Sequence, residues 1–163
     1  MFRLEEAAAL EWNDIKVDEN GINFFDLRDL NKKLKTEHAM RKAPMHKELL
    51  PLIEAYALAE GREGRLFNYK KDKDGKCNKA AVRQIGPYLK TARMEDGVLV
   101  KHLKSHGLRG NFTSLCANNG MADSMRRFLG GWRQLGEDKH YLEADLASQN
   151  GILQQINFSF ITA

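Results

Sequence analysis

Cysteine and proline are scarce in this sequence. Its two cysteines, Cys77 and Cys116, are too few for a disulfide framework or a four-ligand zinc site, so a reducing, cytoplasmic setting is expected. Three prolines, with no low-complexity tract and no internal repeat, exclude a fibrous or proline-rich chain. No run approaches the ~18 apolar residues of a membrane span, and no basic segment leads into an apolar one as in a secretory signal. No membrane partner is therefore expected. Neither sign of charge dominates: 26 Lys and Arg stand against 22 Asp and Glu, a net of +4. That balance permits a nucleic-acid partner without demanding one. What remains is 163 residues, 42% hydrophobic and 29% charged. This is one domain with enough apolar surface for a core, not a disordered tail.

The pattern along the chain predicts a mixed fold. Leu4-Glu5-Glu6-Ala7-Ala8-Ala9-Leu10 is rich in helix formers and ends at Asn13-Asp14. Ile15-Lys16-Val17 and Ile22-Asn23-Phe24-Phe25 flank Asp18-Glu19-Asn20-Gly21, whose Asn-Gly pair signals a hairpin. A basic stretch, Asn31 to Lys35, leads to a third strand at Met40 to Pro44. Leu49, Leu52, Ile53 and Tyr56 fall on one helical face, with Pro51 in the first turn. A loop over 60–79 carries Lys70, Lys71, Lys73, Lys76 and Lys79. A helix from about Ala80 is expected to be interrupted at Gly86-Pro87. Leu108, Phe112, Leu115 and Cys116 form a helical face closed by Asn118-Asn119-Gly120. Met121, Met125, Phe128 and Leu129 form another, closed by Gly130-Gly131. A third helix is expected to hold Tyr141, Leu142 and Leu146. Alternation at Ile156, Phe158 and Phe160 predicts a final strand or a segment packed on a neighbour. The fold class is α+β and mainly helical, a helical body with a small three-stranded antiparallel sheet at one edge.

Several pairs of polar residues carry chemistry. His106 and Arg109, three apart, share a helical face. Tyr141 stands nine residues after Trp132. Arg3 stands three before Glu6, ahead of Leu10, Trp12 and Asp14, and Lys35-Thr36 leads to Pro44. Each pair alone is weak. In this order they resemble the catalytic domain of the tyrosine recombinases, the phage integrase family. Arg3-Leu4-Glu5-Glu6 matches that family's Arg-x-x-Glu box and Lys35-Thr36 its hairpin lysine. His106-Gly107-Leu108-Arg109 matches His-x-Leu-Arg. Gly131-Trp132 with Tyr141 matches the last box and nucleophile. The resemblance spans Arg3 to about Asp145.

The resemblance implies a site-specific recombinase that cleaves and rejoins DNA through a 3′-phosphotyrosyl intermediate. Tyr141 would be the nucleophile, a weak one until neighbouring cations stabilise its phenolate. Arg3 and Arg109 offer planar forks that match phosphate oxygens and stay charged at any working pH. Lys35 would protonate the departing 5′-oxygen, and His106 would exchange a proton or donate to phosphate. Trp132 brings an indole N–H, a donor only. Lys32, Lys33, Lys70, Lys71 and Lys104 are candidate contacts to the DNA backbone. No carboxylate cluster is spaced for a metal, and neither a metal nor another cofactor is required by this chemistry.

Gly107 departs from the usual Asp of the second box, and Gly130-Gly131-Trp132 from the commoner Leu-Gly-His. Arg3 lies so near the start that the chain reads as one catalytic domain, 1–163, without the preceding DNA-clamping domain of the family. Residues 146–163 read as a tail that docks on a partner subunit. Double-stranded DNA and further copies of the chain are the expected partners. Two other readings stand beside this one: relaxation of supercoils, as in type IB topoisomerases, and a DNA-binding remnant that no longer cleaves.

Overall fold

The computed structural model describes residues 2–28, 40–91, 105–133 and 145–157. The N-terminal part is organised by a short helix and a sheet. Helix α1 (Leu4–Ala8) is only five residues long, and Glu6 Oε2 accepts from the backbone N–H of Arg3 at its start, 2.9 Å away. Trp12–Asp14 form a 3-10 turn, closed by Asp14 Oδ2 accepting from the Glu11 N–H at 2.7 Å. Strands β1 (Ile15–Val17), β2 (Asn23–Asp26) and β3 (Lys42–Pro44) then build an antiparallel sheet in the order β1-β2-β3. The hairpin at 18–21 is tied by Asp18 Oδ1, which accepts from the N–H groups of Asn20 and Ile22 at 2.9 and 2.8 Å. Phe25 pairs with Ile15 on one side and Ala43 on the other. The ladder extends past β3, because the Leu27 N–H donates to the Arg41 carbonyl at 2.9 Å.

Helix α2 (Leu50–Glu60) follows a 3-10 turn at Lys47–Leu49, with Pro51 in its first turn, where the missing N–H has no helical partner to lose. Helix α3 (Asn78–Thr91) is continuous, so the expected interruption at Gly86-Pro87 does not occur. Pro87 removes one bond, to the carbonyl of Arg83. Arg83 is exposed, so water can take that acceptor at small cost. The start of α3 is capped from α1: the Glu5 carboxylate accepts from the N–H groups of Cys77 and Asn78, each at 3.2 Å.

Helices α4 (Ser105–Asn118), α5 (Asp123–Gly130) and α6 (Leu146–Leu153) form the rest. Asp145 is the N-cap of α6, with its carboxylate accepting from the Ala147 N–H at 3.2 Å. Leu146 therefore opens a helix of its own and does not share one with Tyr141. Tyr141 and Leu142 lie outside the described residues. Ile152 is helical and Ile156 is buried against this chain's own helices, where a strand had been one expectation. Phe158 and Phe160 lie outside the described residues.

Two main apolar clusters result. One joins Leu10, Trp12, Phe25, Leu27, Ala43, Met45, Ala57 and Leu66 beneath the sheet and α2. The other joins Cys116, Met121, Met125, Leu129, Leu153 and Ile156 between α4, α5 and α6. Both cysteines are buried free thiols. The two parts are stitched by Gln154, whose amide donates to the Met45 carbonyl at 2.8 Å and accepts from the Lys47 N–H at 2.9 Å. The α+β expectation holds: a mainly helical body with a three-stranded antiparallel sheet.

Candidate functional site

The site is built around the end of α5. Gly131 takes the left-handed conformation there, with φ of 62°, which glycine adopts without a Cβ penalty. Its N–H donates to the Phe128 carbonyl at 2.9 Å, and the Trp132 N–H donates to the Arg127 carbonyl at 2.9 Å. These two bonds form a Schellman motif. The next three carbonyls, at the negative end of the helix, each accept from a different arginine. Arg41 Nε donates to Leu129 O at 3.2 Å, Arg109 Nη2 donates to Gly130 O, and Arg3 Nη2 donates to Gly131 O at 3.1 Å.

Among the described residues, one carboxylate serves this cluster. Glu6, 5% exposed, accepts from Arg3 Nη1 at 2.8 Å through Oε1 and from Arg41 Nη2 at 3.3 Å through Oε2. Arg109 projects from α4 and is itself buried. Its guanidinium lies 4.4 Å from the Trp132 ring centroid, a cation–π contact. Burial pulls the pKa of Arg109 below the ordinary guanidinium value. Glu6 works against that shift, and the charges of Arg3 and Arg41 add to it. Gly130 makes this stacking possible, because a Cβ there would collide with the Trp132 ring.

Among the described residues, three guanidinium cations meet one carboxylate, an excess of positive charge in a largely water-excluded place. Such a place suits a dianionic or anionic oxygen cluster such as a phosphodiester. By contrast, a cavity of about 650 Å³ bounded by Phe25, Leu49, Leu108, Phe112 and Leu153 has almost wholly apolar walls, and no lysine or arginine lines it among the described residues.

Of the residues singled out by sequence, Arg3, Arg109 and Trp132 come together. His106 lies in the first turn of α4, three residues before Arg109; only its backbone is described. Lys70 and Lys71 are exposed in the loop between α2 and α3. Tyr141, Lys35, Lys32, Lys33 and Lys104 lie outside the described residues. Arg41 was not singled out, and Glu6 was noted only as part of a box. A signal for Arg41 existed: it shares strand parity with the buried Ala43 and Met45, so alternation points it inward.

Comparison with known families decides the lineage. The model of the phage integrase family matches residues 1–147. The chain belongs to the phage integrase family. Membership carries tyrosine-recombinase activity as a class, and with it a DNA substrate. No curated protein and no solved structure matches the chain. Among the described residues of this integrase, no helix is long and apolar enough to cross a membrane.

Proposed function

We propose that this integrase breaks and rejoins DNA strands at a phosphodiester seated between Arg3 and Arg109, with Tyr141 as the nucleophile. One observation carries the reading. Arg3 and Arg109, remote from each other in sequence, donate to the adjacent carbonyls of Gly131 and Gly130. Two forks thus converge on one small volume, and a phosphate offers them stronger acceptors than peptide carbonyls. Charge grows on the non-bridging oxygens in the transition state, where preorganised cations contribute most.

The Tyr141 oxygen attacks phosphorus as its proton passes to His106 or to water. The bond to the 5′-oxygen breaks, and that oxygen leaves as a hydroxyl with a proton from Lys35. The product is a 3′-phosphotyrosyl bond. Attack by another 5′-hydroxyl reverses the step, so the bond energy is conserved and no ATP is consumed. Trp132 packs on Arg109 and holds that guanidinium plane. His106, one turn before Arg109 on α4, donates to phosphate or shuttles a proton. Lys32, Lys33, Lys70, Lys71 and Lys104 contribute backbone contacts that weaken with salt. Exchange between two duplexes requires several copies of the chain on DNA.

The test is covalent trapping on a nicked suicide duplex carrying the attachment site of the source element, resolved on a denaturing gel. A wild-type adduct that maps to Tyr141, abolished by Tyr141→Phe with DNA binding retained, is the expected result. An adduct that survives Tyr141→Phe overturns the nucleophile assignment. Binding without any adduct in the wild type marks a DNA-binding remnant. Relaxation of supercoils on DNA lacking the site marks a topoisomerase.

A further inference from the structure

We propose that Arg41 is a positioning residue of this site, the fixed counter-ion that holds Glu6 so that Arg3 and Arg109 keep their charge for the phosphate. The inference rests on the reading of the site as a phosphate seat. Its side chain is 1% exposed and that of Glu6 4%, so the pair is closed to water. Arg41 sits at the foot of β3, where the ladder bond from Leu27 fixes its backbone. The face of the Phe2 ring covers its guanidinium at 5.6 Å. From there Nη2 donates to Glu6 Oε2 and Nε to the Leu129 carbonyl. Arg3 meets the same carboxylate through the other oxygen, at 2.8 Å.

The three arginines differ in what they can release. Arg3 retains 27% side-chain exposure and Arg109 stacks on a partly exposed indole. Both hold carbonyls that an incoming phosphate can replace as acceptors. Arg41 has no such route, because it is enclosed by Phe2, Glu6 and the end of α5. Without Arg41 the carboxylate would remain buried with Arg3 as its hydrogen-bonded guanidinium, and the cluster would lose one positive charge. Glu6 would then compete with the phosphate for Arg3. With Arg41 in place, Glu6 divides its charge between two guanidiniums, and Arg3 exchanges its acceptors for those of a phosphate more readily.

The experiment measures binding of inorganic phosphate to the full chain, by broadening of the ³¹P resonance, above the background of an Arg3→Ala/Arg109→Ala variant. Arg41→Met removes the charge at similar bulk and is expected to weaken phosphate binding about tenfold. Arg41→Lys keeps the charge while shortening the reach to Leu129, and is expected to bind within about threefold of wild type. Glu6→Gln/Arg41→Met removes both charges, which returns the cluster to its wild-type net charge, and is expected to restore most of the loss. A purely packing role for Arg41 predicts no such rescue. A folded Arg41→Met that binds like wild type, or a double variant as weak as the single one, overturns the proposal. If Arg41→Met does not fold, the double variant decides, because it buries no unpaired carboxylate. Wild-type binding no better than background overturns both this proposal and the phosphate seat. Phosphate binding without a covalent adduct overturns only the role of Tyr141.

Discussion

The two apolar clusters differ in chemistry. The cluster beneath the sheet is made of Leu, Phe, Trp and Ala with one Met, and its aromatic rings interlock. Trp12 stacks on Tyr56 at 6.3 Å, and Phe2 meets Phe25 edge-on at 5.1 Å. The cluster between α4, α5 and α6 uses Cys116, Met121 and Met125 beside Leu129, Leu153 and Ile156. Rings and branched side chains fit one way, whereas thioethers refill space when a neighbour moves. The sheet side is thus a fixed frame, and it carries Arg3 and Arg41. The helix side carries Arg109, Trp132 and the carbonyls they grip. A recombinase must seat a phosphate and then release the strand. On the proposed reading, the adaptable packing lies on the half whose carbonyls give way to phosphate oxygens.

Truncation should separate the halves most clearly. Leu27→Ala, at a residue 1% exposed within the frame, is expected to cost about 3 kcal/mol of stability in urea unfolding. Met125→Ala on the other side, where neighbouring thioether and aliphatic chains can refill the space, is expected to cost about 2 kcal/mol. Equal costs would erase the distinction. A smaller but more local effect is expected at the seam. Gly130→Ala forces the Trp132 ring off its present place, and with it the stacking on Arg109. Overpacking of this kind costs about 1–3 kcal/mol, and covalent trapping should fall further than the stability loss explains. Trapping at the wild-type rate would show that the stack is dispensable.

The smallest expected effect lies in the frame's polar edge. Asp26 accepts from Arg28 through two bonds of 2.8 Å and from Lys16 at 3.1 Å, and these cations hold its carboxyl well below the usual carboxylate range against the opposing effect of burial. A depressed folded pKa means the ionised form is what stabilises. The contribution is therefore full above the unfolded value of about 4 and is lost progressively as pH falls from there through the depressed folded value. Lys16 and Arg28 are both more than half exposed, so solvent screens the interaction. Asp26→Asn is expected to cost about 1 kcal/mol at pH 7, a gap that narrows steadily as pH falls from about 4 toward the lower folded value. A difference that persists in acid would place its origin in shape rather than charge.

Local features of this fold were legible in sequence. The Asn20-Gly21 hairpin, the position of Pro51 and the glycine stop of α5 each depend on a few neighbouring residues. The continuity of α3 through Pro87 was not, because it depends on whether the Arg83 carbonyl meets water or protein. The join between Tyr141 and Leu146 failed for a similar reason. An apolar spacing does not reveal that Asp145 is used as a cap. Within the site, Arg3, Arg109 and Trp132 were recognisable as family boxes, while Arg41 was not. Its partners, Glu6 and Leu129, are remote in sequence, and no periodicity of its own neighbourhood names them.

The grip of three arginines on the carbonyls of Leu129, Gly130 and Gly131 is a grip on main chain alone. Peptide carbonyls are the same whatever side chain they accompany. The information stored in this contact is therefore a count and a spacing, not a set of letters. Drift in the side chains of α5 leaves it untouched wherever sterics allow. The insertion or loss of one residue in that turn, however mild its chemistry, would put every guanidinium out of step with its acceptor.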